Sequence, residues 1–217
     1  MSPMPNPPDN FIDRLVAELE PVRPLSQAGG LSRAAFAALA AVGIAAFGMG
    51  LRPDLIAGQL DPVFLLSSGL FLLLACAASF SVIQMSRPAV GNHQTGWLWA
   101  AAMAALLPAS AVLTWLVARA GGGHLAVDPD GWKCTVIGIV LGLIMASLLT
   151  LWLRRGAPTS PGRAGLLVGI ASGSTGIFAV AMHCPHNDIA HIGLWHALAV
   201  VVSAMAGRWI IPLAVRW

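Results

Sequence analysis

The sequence predicts an all-α integral membrane protein with six transmembrane helices, both termini in the cytoplasm and a short amphipathic helix at the N-terminus. Three observations predict this fold class: the composition, a succession of long apolar runs and the distribution of basic residues. Charged residues make up 10% and hydrophobic residues 57% of the 217 residues, whereas a soluble domain carries about 25% charged residues. This composition excludes a soluble monomer, a disordered chain and a disulfide-dense secreted domain.

Six apolar runs are long enough to cross a bilayer, which takes about 20 residues of helix. They cover residues 34–51, 62–85, 97–118, 134–153, 164–182 and 189–211. Pro108 lies inside the third run and predicts a kink that neighbouring helices support. We therefore expect a cytoplasmic, partner-binding segment over residues 1–33 and a six-helix transmembrane domain over residues 34–217. The first span should act as its own insertion signal.

The basic residues predict the orientation of the spans. With six spans both termini lie on one side, and nine of the 12 basic residues fall on that side against three on the other. Basic residues are retained in the cytoplasm, so the termini are expected there and the loops 52–61, 119–133 and 183–188 face outward. The nine are Arg14, Arg23, Arg33, Arg87, Arg154, Arg155, Arg163, Arg208 and Arg216, and the three are Arg52, Arg119 and Lys133.

A short amphipathic helix is predicted to precede the first span. Asp9 or Asn10 can cap it and Pro21 ends it. One apolar stripe at helical spacing is formed by Phe11, Leu15, Leu19 and Val22. Residues 9–20 contain four acids and one base, hence a net charge of −3.

Three surroundings could bury this stripe: a cytosolic partner, the helix bundle of the same chain, or the inner leaflet. The cytoplasmic leaflet is anionic and attracts basic amphipathic helices rather than acidic ones. An acidic amphipathic helix on a tether, here residues 21–30, is typical of a segment that binds a basic, grooved partner. Partner binding is the favoured hypothesis, and fold-back onto the bundle is the second.

Two of the three cysteines are predicted to meet on the outer side. Cys134 begins the fourth span and Cys184 follows the fifth, at nearly equal distances from the centre of the inner loop 154–163. The two spans carry glycines at four-residue spacing that allow close helix packing: Gly138, Gly142, Gly165, Gly169 and Gly173. A structural disulfide and a redox-labile pair are both open, whereas Cys76, in the middle of the second span, is expected to serve packing only.

The outer stretch that contains Cys184 is rich in histidine. His183, Cys184, His186, His191 and His196 are candidate ligands for Zn or Cu, because imidazole and thiolate suit these metals. His124, on another outer loop, could join them. The alternative is that the histidines lie at the membrane interface and bond loop backbone.

Four features of the chain together resemble those of a known family: the predicted cytoplasmic segment from Leu15 to Leu25 with its Pro-Val-Arg-Pro-Leu run, the six spans, the outer Cys134 and Cys184, and the segment Met182-His-Cys-Pro-His186. The family that they resemble is the NrsF family. The resemblance implies a non-enzymatic, multi-pass anti-sigma factor of the bacterial inner membrane that restrains an extracytoplasmic-function sigma factor of the sigma-F kind. It also implies that the segment around Phe11 to Leu25, including Arg23, holds the sigma factor. Cys134 and Cys184 would then sense an outer redox or heavy-metal signal.

The implied partners are a cytosolic sigma factor and the lipid bilayer, with no direct contact to nucleic acid and no required cofactor. The leading rival function is a metal or redox-linked transporter that uses the outer His/Cys cluster, but the expected mid-span charges are absent. An intramembrane enzyme would depend on Ser174 and a nearby histidine. The hydroxyls of Ser172, Ser174 and Thr175 are expected instead to bond helix carbonyls.

Overall fold

The computed structural model describes residues 7–19, 25–87, 96–121 and 128–215. The regular structure within these ranges is helical. We number the helices α1 (Pro7–Ala17), α2 (Gln27–Gly48), α3 (Pro53–Ala57), α4 (Pro62–Met85), α5 (Gly96–Ala120), α6 (Trp132–Leu153), α7 (Pro161–Ala181) and α8 (Ile189–Ala214). One turn of α8, Ile192–His196, is π-helical.

Five of the described helices are long and apolar enough to cross a membrane by length and composition: α2, α4, α6, α7 and α8. The second predicted span coincides with α4, and the fourth, fifth and sixth differ from α6, α7 and α8 by at most three residues at either end. The helix α5 occupies the position of the third predicted span and contains Pro108. Its crossing of the membrane, and the six-span topology, remain predictions.

The first long helix begins earlier than its apolar run. The helix α2 starts at Gln27 instead of residue 34, because the Ser26 hydroxyl caps it by accepting a hydrogen bond from the Gly29 N–H. Arg33 is accommodated inside the helix, since its guanidinium bonds the Gly29 carbonyl and lies over the Trp152 ring, 4.9 Å from its centroid. The predicted tether over residues 21–30 is thus partly helical, and the proposed boundary at residue 33 falls within α2.

The N-terminal helix is shifted toward the start of the chain. The helix α1 runs from Pro7 to Ala17, so Asp9 and Asn10 lie inside it rather than capping it, which proline at a first helical position permits. Leu15 belongs to α1, whereas Leu19 follows its end; both side chains are exposed, 47% and 72% respectively. Val22 and Arg23, and the side chain of Phe11, lie outside the described residues.

The helix α7 forms the centre of the bundle. In its most apolar 18-residue window 89% of the residues are buried, against 28–39% in the other four long apolar helices. Glycines permit this burial. A Cβ on Gly169 would collide with the Ser203 carbonyl of α8, and a Cβ on Gly142 of α6 would collide with the Ser172 carbonyl of α7. The backbones of α6 and α8 therefore approach α7 closely on two sides.

Candidate functional site

Cys134 and Cys184 lie together where α6 begins and the loop 182–188 follows α7. The Sγ atoms of Cys134 and Cys184 are 3.8 Å apart, and both thiols are free. Cys184 is buried and Cys134 is half-buried. The two residues occupy matching depths because the antiparallel hairpin of α6 and α7 brings its ends together.

Two histidines of α8 complete the surroundings of the thiols. The His191 Nε2 lies 3.5 Å from the Cys184 Sγ. The centroids of the His191 and His196 rings are 5.1 Å apart, and both side chains are buried. One ligand atom from each of Cys134, Cys184, His191 and His196 can be chosen so that all four lie within 4.8 Å of one another. We call these four residues the Cys/His cluster.

A π-turn brings the two histidines to the same face of α8. On a regular α-helix residues five apart point about 140° away from each other. A π-turn closes with an i→i+5 hydrogen bond, which the N–H of Ala197 donates to the Ile192 carbonyl. Residues five apart therefore lie on nearly the same face of the helix, as His191 and His196 do. The sequence spacing by itself gives only a loose fit to one helix face.

Asp128 lies on the far side of His191 from the thiols. Its Oδ2 is 3.3 Å from the Nδ1 of His191 and 3.7 Å from the Nε2 of His186. The His186 ring stacks on the His191 ring with centroids 4.7 Å apart. Asp128, His186 and His191 therefore form a second group with metal-ligating side chains, which is more exposed than the Cys/His cluster.

The buried guanidinium of Arg52 ties the segment that follows the C-terminal end of α2 to the loop that carries Cys184. Arg52 is 3% exposed and donates hydrogen bonds to the Asp54 carboxylate at 2.6 Å, the Cys184 carbonyl at 2.9 Å and the Asn187 side-chain oxygen at 3.0 Å. Its backbone N–H also donates to the Met182 carbonyl at 3.0 Å. We call this set of bonds the Arg52 clasp.

The beginnings of α6 and α8 are braced against each other. The Thr135 hydroxyl donates to the Trp195 carbonyl at 2.7 Å, and the Trp195 indole donates to the Asp128 carbonyl at 3.1 Å. A Cβ on Gly131 would collide with the Trp195 ring. These contacts fix Cys134 relative to the two histidines.

The electrostatics of the site favour an ionised thiol and an ionised carboxylate. The hydrogen bond from the Cys134 thiol, with a smaller contribution from His191, lowers the pKa of the Cys184 thiol against the opposing effect of burial. The hydrogen bond from Arg52 lowers the pKa of Asp54. A thiolate beside a second thiol can be oxidised to a disulfide, and with imidazoles nearby it can bind a soft metal ion.

Not all predicted site residues meet here. The cluster gathers Cys134, Cys184, His191 and His196, whereas the Nδ1 of His183 lies 3.0 Å from the Gly50 carbonyl oxygen and His186 faces Asp128. His124 lies outside the described residues.

The five glycines selected from the sequence all lie at close contacts of α7 with α6 or α8. Of the three hydroxyls in α7, Ser172 bonds its own helix as expected, at the Gly169 carbonyl. The expectation is wrong for Ser174 and Thr175, whose buried oxygens have no hydrogen-bond partner among the described residues.

Sequence reasoning missed Arg52, Asp128, Asn187 and Trp195. In the sequence analysis Arg52 is only one of the three basic residues predicted on the outer side. Pro53 and Asp54 directly after it nevertheless indicate a capped turn in which a nearby guanidinium can pair. Asp128 and Asn187 carry no such local signal, because their roles depend on contacts with side chains that are distant in the sequence and meet them only in the folded chain. Trp195 acts as a brace only once the fold brings Thr135 and Asp128 to it.

Comparison with known proteins finds similarity over nearly the whole chain. A family model described as "Negative regulator of sigma F" matches residues 15–217. The "Anti-sigma-F factor NrsF" of Caulobacter vibrioides is 31% identical over an alignment of 228 residues that covers 96% of this chain and 99% of that protein. The "Probable anti-sigma-F factor NrsF" of Azospira oryzae is 28% identical over 170 residues, which are 77% of this chain and 78% of that protein. No solved structure matches the chain.

Proposed function

The chain belongs to the NrsF family of negative regulators of sigma F, and from that premise we propose that it holds a sigma factor of the extracytoplasmic-function type at the bacterial inner membrane until an outer signal arrives. The family's function is regulatory rather than catalytic: negative regulation of a sigma factor. The location of the sigma factor, its type and the nature of the signal are our proposal.

The exposed apolar side chains of the N-terminal segment support it as the site that holds the partner. Leu15, Val16 and Leu19 are 47–72% exposed although they are large and apolar, and such groups are usually buried in a partner when they occur together. The acidic character of this segment favours a basic groove in the sigma factor. The match to the family model begins at Leu15 and thus includes part of this segment.

The position of α2 supports communication between the two ends of the molecule. The helix begins three residues after Pro24, close to the N-terminal segment, and at its other end the Arg52 clasp bonds the carbonyl of Cys184. The position of α2 in the chain, between the N-terminal segment and the clasp, is the observation that carries the proposal. A rearrangement of the Cys184 loop would change the hydrogen bonds at the end of the helix that continues into the sigma-binding segment.

Cys134 and Cys184 are the proposed sensor. Their thiols are close enough that an oxidant could remove two electrons and two protons and join them, and a soft metal ion could bridge them. Regulation requires two arrangements of the bundle with different affinities for the sigma factor. We propose that the reduced, metal-free arrangement is the one that binds.

Charge substitutions on α1 test the proposal. Leu15→Asp places a charge in the proposed apolar contact, and we expect at least ~2 kcal/mol loss of binding, the scale of an interface hot spot. That is roughly thirtyfold in affinity. Ala17→Asp is the matched control, because it adds the same charge about 200° around the helix from Leu15.

The readout is the amount of sigma factor that copurifies with the full chain from membranes that contain equal amounts of each variant. Wild type and Ala17→Asp should retain the sigma factor and Leu15→Asp should lose it. Equal retention by all three would show that this stripe does not hold the partner.

A further inference from the structure

His196 is the least explained polar side chain of the outer site. It is 2% exposed, and neither of its ring nitrogens has a hydrogen-bond partner among the described residues. A buried imidazole without partners is costly, since an unsatisfied polar group in an apolar environment loses its hydration without compensation. Its neighbours are the His191 ring and the Phe71 ring, whose centroid lies 6.2 Å away. A ligand placed between His196 and the thiols would supply the missing partner.

The separations within the Cys/His cluster match those of a tetrahedral metal site. A zinc ion with bonds of about 2.3 Å to sulfur and about 2.0–2.1 Å to nitrogen holds two sulfurs about 3.8 Å apart and each sulfur about 3.5–3.6 Å from a nitrogen. The two thiols are 3.8 Å apart, and the Cys184 sulfur is 3.5 Å from the Nε2 of His191. An ion could therefore enter with little movement of these three atoms.

The surroundings of His191 resemble those of a metal-bound histidine. Such a histidine usually directs its second ring nitrogen at a carboxylate or carbonyl, which fixes the ring orientation. The Nε2 of His191 lies 3.5 Å from the Cys184 sulfur, and its Nδ1 lies 3.3 Å from the Asp128 carboxylate, within reach of a hydrogen bond that a small rotation of the ring would align. Asp128 in turn is held in place by the backbone that follows it: its other carboxylate oxygen accepts from the Asp130 N–H at 2.9 Å.

We propose that Cys134, Cys184, His191 and His196 form a four-coordinate site for a soft d¹⁰ metal ion, Zn²⁺ or Cu⁺, with Asp128 as the positioning residue behind His191. Two thiolates and two neutral imidazoles neutralise the charge of Zn²⁺, and binding releases to solvent any proton that the thiols still carry. The ion joins α6, the loop after α7 and the π-turn of α8. The inference deepens the proposed function, since it gives the sensor cysteines two histidine co-ligands.

The test is zinc binding by the full-length, reduced chain purified in detergent micelles without a sigma factor. We expect one zinc ion per chain, measured by competition with a chromophoric chelator. X-ray absorption of the zinc complex should give two sulfur ligands at about 2.3 Å and two nitrogen ligands at about 2.0–2.1 Å. A zinc shell without sulfur, or no zinc bound after reduction, would overturn the proposal.

Variants separate the ligands from their neighbours. His196→Ala and Cys184→Ser should each weaken zinc binding more than tenfold. Asp128→Asn leaves all four ligands in place and should weaken it about 10–100-fold, as removal of an outer-shell partner does. It keeps the proposal testable if a ligand variant fails to fold.

His183→Ala and Cys76→Ser are the controls, since both residues lie outside the cluster, and their zinc affinity should equal that of wild type. Unchanged affinity in both His196→Ala and Asp128→Asn would contradict the proposal. Because the sigma factor is absent from this assay, failure of zinc binding is distinguishable from failure of the Leu15→Asp test.

Discussion

Arg52 shows how one side chain organises the end of the molecule that carries Cys184. A guanidinium at 3% exposure is tolerated only when its donors are used. Arg52 uses Nε, Nη1 and Nη2 on three oxygens of three residues and lies over the Phe64 ring at 4.5 Å. Two of the three oxygens belong to the loop after α7, so this side chain decides where Cys184 lies relative to α2.

Replacing Arg52 should loosen this loop. Arg52→Leu leaves the carbonyl of Cys184 without its donor, and we expect the free energy of unfolding to fall by about 2 kcal/mol, the scale of a hydrogen bond from a charged group. The measurement is the midpoint of thermal unfolding of the purified chain in detergent. Arg119→Leu is the control, because Arg119 is exposed and should change stability by less than about 0.5 kcal/mol. Equal midpoints for both variants would show that the clasp contributes no stability.

The helices α7 and α8 each contain a local feature that affects the whole helix: small residues in α7 and a π-turn in α8. Small residues let α7 lie between α6 and α8 with backbones in contact, which compensates in a bilayer for the absence of a hydrophobic driving force between helices. The π-turn of α8 inserts one extra residue per turn and thereby aligns His191 with His196. Packing and site geometry thus depend on local departures from an average apolar helix.

A methyl group on α7 should separate it from α8. In Gly169→Ala the new Cβ meets the Ser203 carbonyl and, at 2.6 Å, the Cα of Ala204. Overpacking of this kind costs about 1–3 kcal/mol, because backbone rather than a flexible side chain has to move. The thermal midpoint in detergent should fall accordingly.

Gly43→Ala is the matched control for this substitution. Gly43 lies in the middle of α2, and among the described residues no atom outside the adjoining backbone of its own helix lies within 4 Å of the place that a methyl group there would take. Alanine also favours a helix over glycine by about 1 kcal/mol. The midpoint of this variant should stay equal or rise. If Gly169→Ala behaved in the same way, close contact between α7 and α8 would be refuted.

For the whole molecule, the orientation in the membrane decides which end meets which compartment. The nine-to-three division of the basic residues predicts that both termini are cytoplasmic. In that orientation α1 can reach a sigma factor, and the Cys/His cluster opens toward the periplasm. The two proposals of sensor and sigma-binding segment therefore depend on the same topology.

A reporter fused after Trp217 tests this orientation. A fluorescent protein that matures only in the cytoplasm should be active there, and an alkaline phosphatase that needs the periplasm should be inactive. The reverse result would contradict the six-span topology and place the C-terminus outside. Fusions after Gly121, in an expected outer loop, should give the opposite pattern and serve as the internal control.

Substitution of the cysteines tests coupling across the molecule. If Cys134 and Cys184 act as one sensor, Cys134→Ser and Cys184→Ser should accumulate normally yet fix sigma release in one state. The double variant should match the singles, because a two-residue switch is lost with either member. Cys76→Ser should respond as wild type does. The measurement is sigma release after addition of a thiol oxidant or zinc, and a full response in the double variant would remove the cysteines from the mechanism.

Much of the helical architecture could be predicted because hydrophobicity and chain length are local properties. The run 62–85 has the same bounds as α4, since Asp61 caps the helix and Pro62 starts it. The predicted start of α2 is wrong because an apolar run is taken to begin after the last charged residue, here Arg33. Hydropathy does not detect the cap at Ser26, where the helix begins. Residue type identifies side chains that could ligate a metal ion, but the predicted group differs from the one that the fold assembles, since it places Cys134 in the cysteine pair and not among the metal candidates.

By itself the sequence determined that this protein is helical and is apolar enough for a membrane. It also determined the positions of most helices along the chain and the family to which the protein belongs. These properties follow from composition, periodicity and short motifs, which can be read from residues that are close together in the chain. Only the tertiary structure decided that Cys134 and Cys184 meet His191 and His196 rather than His183, and that Arg52 bonds the Cys184 loop. Such pairings depend on the depth, rotation and π-turn of packed helices, and residues distant in the chain acquire these relations only when the helices pack.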